Sequence, residues 1–205
     1  MSKGVLIKLF LLNILILFLS NISYSQNILQ GLDGPITLSS YEGEWKWEDE
    51  DECLILYLRD TTWQWWGQPE DTDIIGTYKY IKNGVVIVDN TNTNPSSLSL
   101  LFHMPIFASV GSKDINGNVW KLRLSFTDTV TGKESSYSTS TLSYTIGRNG
   151  PELFISLKSE AKWYEGAEDE LASTPEEAAE MKRRSNAAKL PGWSIPNNVT
   201  LTKVN

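Results

Sequence analysis

Over residues 41–60, YEGEWKWEDEDECLILYLRD, apolar and polar positions first alternate and then stop alternating. Trp45 and Trp47 fall on one face and Glu44, Lys46 and Glu48 on the other, the pattern of a half-buried strand. After an acidic turn at residues 48–52, residues 53–59 are apolar on both faces, as in a strand covered on both sides or set into a closed wall. Together they predict a first β-hairpin. In residues 60–66 an extended chain puts Trp63 and Trp65 on one face and Trp66 on the other, and Gly67, Pro69 and Asp71 then break the pattern. Residues 76–90 predict a second hairpin, GTYKYI and VVIVD around Lys82-Asn83-Gly84. Asn-Gly favours a type I′ turn there, because both residues tolerate positive φ.

Residues 91–97 are polar and read as a loop. Residues 98–110 are apolar but carry Pro105, which predicts a short strand or helical turn and then another strand. Residues 119–127 alternate throughout, with Trp120, Leu122, Leu124 and Phe126 on one side and Lys121, Arg123 and Ser125 on the other. Residues 135–146 predict a Ser/Thr/Tyr-rich strand, turned by residues 147–150 into a strand at 152–158, and residues 199–204 predict a last one. One helix interrupts the series. Thr174-Pro175-Glu176-Glu177 combines an N-cap, proline at the first helical position and glutamate three residues after the cap. Acids lead and bases trail as far as Lys189, which suits the helix dipole. Its apolar residues are mostly alanines plus Met181, so it is expected on the surface. The fold class that follows is all-β and predominantly antiparallel: an up-and-down barrel or a sandwich, with one accessory helix near the C-terminus.

The first residues read as an address. Lys3 and Lys8 precede an apolar run at 9–19, and small residues follow at Ser23-Tyr24-Ser25, the plan of a secretory signal peptide. The run is interrupted by Asn13 and is shorter than the roughly 20 residues of a membrane span. No cysteine lies near the site to carry a lipid. The expected division is a signal peptide at 1–25, a lead-in at 26–40 and a single β domain at 41–205 that includes the helix at 174–189. The expected destination is the periplasm or the extracellular space, with no stable membrane span after cleavage. Removing residues 1–25 takes away two lysines and no acid, so the formal net charge moves from -7 to -9. That balance disfavours nucleic acid and anionic lipid as partners. Cys53 is the single cysteine, so no intrachain disulfide can form.

Catalytic chemistry is not visible. His103 is the single histidine and sits beside Met104 and Pro105, Cys53 lies in an apolar run, and neither has a partner of the kind that triads or zinc sites require. The acidic runs at 48–52 and 165–170 do not follow the spacing of a calcium loop, and adjacent acids in a turn are not two carboxyls held across a cleft. The expectation is a non-enzymatic protein without metal or cofactor. The tryptophans are the better lead. Trp45, Trp47 and Trp120 belong with the core by their alternation. Trp63, Trp65 and Trp66 crowd beside Gly67 and Pro69, and an indole offers a broad apolar face with a polar edge. With Tyr57 they are the candidate ligand-binding residues, the structural alternative being that they cap the barrel. Two uses stand open: a small apolar or amphiphilic ligand held in the barrel interior, or a surface that binds glycan or protein through the tryptophan cluster.

Four stretches carry a resemblance: Tyr41-Glu42-Gly43-Glu44-Trp45-Lys46-Trp47; residues 76–84, GTYKYIKNG; Leu124-Ser125-Phe126-Thr127-Asp128; and Ile195-Pro196 with Leu201-Thr202-Lys203. They resemble an uncharacterised family of short exported proteins from Bacteroidetes-type bacteria, a domain of unknown function. The resemblance implies a secreted β domain and no known activity. Gly43-Glu44-Trp45 is also similar to the first strand of lipocalin-like barrels, in which the tryptophan helps to close one end.

Overall fold

The computed structural model describes residues 34–64, 70–93, 104–158, 174–189 and 192–204. The chain divides into two compact units, Met1–Pro35 and Ile36–Asn205, and the fold below is that of the second. Trp65, Trp66, His103, the acidic run at 165–170 and the expected signal peptide lie outside the described residues.

A 3-10 helix, Leu38–Tyr41, leads into β1 (Gly43–Asp49) and β2 (Glu52–Gln64). Then follow β3 (Glu70–Lys82), β4 (Val85–Asp89), β5 (Ile106–Ser112), β6 (Lys121–Asp128), the short β7 (Lys133–Glu134), β8 (Thr141–Gly147) and β9 (Gly150–Ser156). Helix α1 (Pro175–Lys189) and β10 (Val199–Lys203) complete the order. Eight strands close on themselves in the sequence β1, β2, β3, β5, β6, β8, β9, β10 and back to β1. Each neighbouring pair is antiparallel. This is an up-and-down barrel rather than a sandwich. β4 extends the far end of β3 and β7 the far end of β6, both outside the closed wall.

Alternation sorts the wall into two faces. Leu54, Leu56 and Leu58 of β2, Ile74 and Tyr78 of β3, Leu122, Leu124 and Phe126 of β6 and Leu201 of β10 point inward, each 4% exposed or less. Two aromatic groups occupy the lumen. Where β1 and β6 begin, Tyr144 lies 5.5 Å from Tyr41 and edge-on to Trp45 at 6.0 Å. Where β6 ends, Tyr78 and Phe126 pack at 4.9 Å and Trp193 meets Phe126 edge-on. An eight-stranded barrel is just wide enough for side chains to fill it or for one small ligand; here large side chains take the space.

Several local expectations change. The acidic stretch is not a five-residue turn: Asp49 pairs with Glu52, leaving Glu50-Asp51 as the turn. β2 runs on without a break through Trp63, and Asp71 is inside β3 rather than in a loop, because residues 59–64 find a full ladder of partners in residues 70–75. Residues 135–140 are not strand. Ser135 Oγ accepts from Phe126 N and donates to Leu124 O, and Ser140 Oγ accepts from Lys158 N. Hydroxyls thus take bonds that a ladder would otherwise make, and β8 begins at Thr141. Trp120 precedes β6 half-buried, its indole donating to Asp114 Oδ2 at 2.8 Å. Donors from Asn118 and Trp120 hold the Asp114 carboxyl down at about 2.

The helix forms where expected, with Glu177 N donating to Thr174 Oγ1 at 3.1 Å. The β3–β4 turn is also as expected, with φ of 52° at Asn83 and 70° at Gly84. A Cβ on Gly84 would meet nothing within 4 Å. Gly84→Ala should therefore destabilise through the backbone alone, by about 1–2 kcal/mol, read as a lower urea midpoint with an unchanged m-value.

Candidate functional site

The outer face of the wall is not uniformly polar. On β2 the outward positions are Tyr57, Arg59, Thr61 and Trp63, and they stand opposite Thr77, Ile75, Asp73 and Asp71 of β3. Ile75 in turn faces Phe107 of β5, and Phe107 faces Ser125 of β6. Ile75, Phe107 and Met104 form a buried cluster on this outer side, with Trp63 and Tyr137 packed against it. A groove of about 560 Å³ opens here, between Trp63, Asp71 and Asp73 on one side and Phe107, Ser109, Ser125 and Tyr137 on the other.

Each wall of the groove is tied down. The Trp63 indole N–H donates to Asp73 Oδ2 at 2.8 Å, which fixes the plane of a half-buried ring. Tyr137 comes from the turn before β8; its hydroxyl is hydrogen-bonded to Ser109 Oγ and its ring lies 6.5 Å from Phe107. Asp73 is 2% exposed. Burial pushes its carboxyl pKa up, the Trp63 hydrogen bond opposes that, and the charge of Asp71 adds to it.

The sign of the pH effect follows. A carboxyl with a raised native pKa holds its proton more tightly when folded, so stability falls as pH rises from the ordinary value of 3.8 through the native one. Asp73→Asn keeps an acceptor for the indole and removes the charge. The variant should match or exceed the parent in melting temperature at neutral pH and lose its advantage at acid pH, which paired thermal melts across pH 3–8 would show.

Of the four residues picked out by sequence, Trp63 lines this groove. Tyr57 lines a second outer cavity, of about 390 Å³, together with Arg59, Thr77, Thr91, Thr93 and Met104. Trp65 and Trp66 lie outside the described residues. Asp73, Phe107 and Tyr137 were not foreseen. An Asp at an outward strand position carries no sign of burial, and Tyr137 reaches the groove from a stretch whose pattern reads as strand. Among the described residues no group of three or more His, Cys, Asp or Glu is placed to hold a metal ion, and no helix is long and apolar enough to cross a membrane.

The family model for a family of unknown function, DUF6705, matches residues 7–204, nearly the whole chain. The chain belongs to that family. No curated protein and no solved structure matches it. Membership in DUF6705 therefore brings no activity with it, and the function of this DUF6705 barrel has to be argued from its own side chains.

Proposed function

We propose that this is an exported, non-catalytic binding module whose ligand, a glycan or a segment of another protein, lies in the groove on the outer wall beside Trp63. The observation that carries the reading is the tethered ring: a half-buried indole held by a buried carboxylate, facing Tyr137 and Phe107 across a groove. Such a ring presents a large contact face at little cost in conformational freedom, and anchors of this type dominate binding energetics. The interior reading, a small apolar or amphiphilic ligand inside the barrel, has less support, because Trp45, Tyr78, Phe126 and Tyr144 occupy the lumen. Export is supported by the charged, apolar and small-residue segments of residues 1–25. The amino terminus of the protein recovered from an exported fraction should be Gln26.

Binding to glycan and peptide arrays tests the site. Trp63→Ala and Tyr137→Ala should each weaken a bound partner roughly tenfold or more, with melting temperature followed in parallel and Trp63→Phe as the milder change. Binding that survives both alanine variants would place the partner elsewhere.

A further inference from the structure

The chemistry of the groove narrows its ligand, on the premise that the groove is the binding site. Asp73 is buried, yet among the described residues the charged group that bears on it is Asp71, a second acid. Oδ2 takes the Trp63 indole proton; Oδ1 receives no hydrogen bond among the described residues. Nor is Oδ1 sealed in, since the fully buried, unpartnered side-chain atom among those residues is Asn90 Nδ2. A carboxylate largely withdrawn from water, with one neutral donor among the described residues, has an oxygen left open toward the groove. Among the described residues, lysine and arginine do not line this groove. Arg59 lines the neighbouring cavity, and Arg123 stands opposite Ser109 in the β5–β6 ladder.

We propose that the groove binds a primary ammonium group, seated on Asp73 Oδ1 with Asp71 as a second acid, while the body of the ligand lies on Trp63 and Tyr137. The aromatic faces favour a cation in their own right. A quaternary ammonium has no N–H to give to Oδ1. A guanidinium is made for two acceptor oxygens side by side, and one of the two on Asp73 is already taken by the indole. An ammonium is a compact charge that needs a single open oxygen. The groove, at about 560 Å³, has room for such a head and its carrier.

The test uses matched pairs differing in the ammonium: 2-phenylethylamine against 2-phenylethanol, and glucosamine against glucose, the second pair asking whether the carrier is a sugar. The full chain, ¹⁵N-labelled, is titrated while the Trp63 indole N–H resonance is followed, its assignment given by its loss in Trp63→Phe. At least one amine should bind roughly tenfold or more tightly than its neutral partner, a difference within the range of one charge-assisted hydrogen bond. Asp73→Asn, which keeps the shape and the acceptor for the indole, should bring the pair to equality. Lowering pH through the Asp73 titration should weaken the amine and leave the neutral compound unaffected. Equal affinities within both pairs, with binding still dependent on Trp63, would overturn the ammonium and leave the groove standing as the site. No movement of the Trp63 resonance with any of the four compounds would also overturn the ammonium, and the array experiment would decide on the groove separately. Amine binding that persists in Asp73→Asn would overturn it as well.

Discussion

Asp128→Ala should lower the unfolding free energy by about 3–5 kcal/mol, the range for removing one partner of a buried charged network. Asp128 is fully buried at the end of β6. Oδ1 accepts from Val130 N, Thr131 N and Ser194 Oγ, and Oδ2 accepts from Ser194 N at 2.7 Å. One carboxylate thus shapes the turn into β7 and pins the segment that carries Trp193 over Phe126. Opposite it in the β6–β7 ladder is Lys133, 4% exposed, which donates to Gly192 O at 2.9 Å and lies 5.0 Å from the centre of the Trp193 ring. Alanine leaves four donors without their acceptor and takes the nearby negative charge away from a buried ammonium. Asp128→Asn keeps oxygen on the turn and should lose roughly half as much. Urea unfolding followed by tryptophan fluorescence measures both, and a loss below about 1 kcal/mol for the alanine variant would mean that the network is dispensable.

Trp45→Ala should be comparably damaging, by about 3–5 kcal/mol for a large aromatic in a packed core. The ring is fully buried in the lumen, its Nε1 donates to Tyr41 O at 2.7 Å, and Lys203 Nζ from β10 lies 5.2 Å from its centre. The tryptophan therefore joins three things: the 3-10 helix, the first strand, and the last strand that closes the barrel on the first. Trp45→Phe retains the packing and loses the donor to Tyr41 O, so it should cost about 1–2 kcal/mol. If both variants unfold at the same urea concentration, packing contributes little and the hydrogen bond accounts for the effect.

The barrel was legible where alternation is strict. Leu122, Leu124 and Phe126 face inward as their spacing requires, and Asn83-Gly84 turns the chain with both residues at positive φ. The doubly apolar run of β2 announced either a covered strand or part of a closed wall, and the wall is what forms. Leu54, Leu56 and Leu58 fill the lumen, while Cys53, Ile55 and Tyr57 on the outer face are half-buried. Other stretches misled for physical reasons. Ser135, Ser136 and Ser140 have strand-like spacing, yet their buried hydroxyls and backbone settle into a turn. Trp120 continues the apolar side of β6 in sequence, but it precedes the strand and is only half-buried, its indole donating to Asp114. Of the groove residues described, Trp63 was the legible one. An indole next to turn residues stands out in a sequence. The burial of Asp73 and the approach of Tyr137 depend on which strands become neighbours, and sequence spacing alone does not encode that.

The measurement that bears most directly on the outer groove as the binding site is an indole N–H spectrum of the ¹⁵N-labelled chain, titrated separately with 2-phenylethylamine and with lauric acid. The Trp63 resonance should move with the amine, while that of Trp45, deep in the lumen, stays fixed with both compounds. Movement of the Trp45 resonance with lauric acid, and a still Trp63, would show a ligand entering the barrel and would contradict the account.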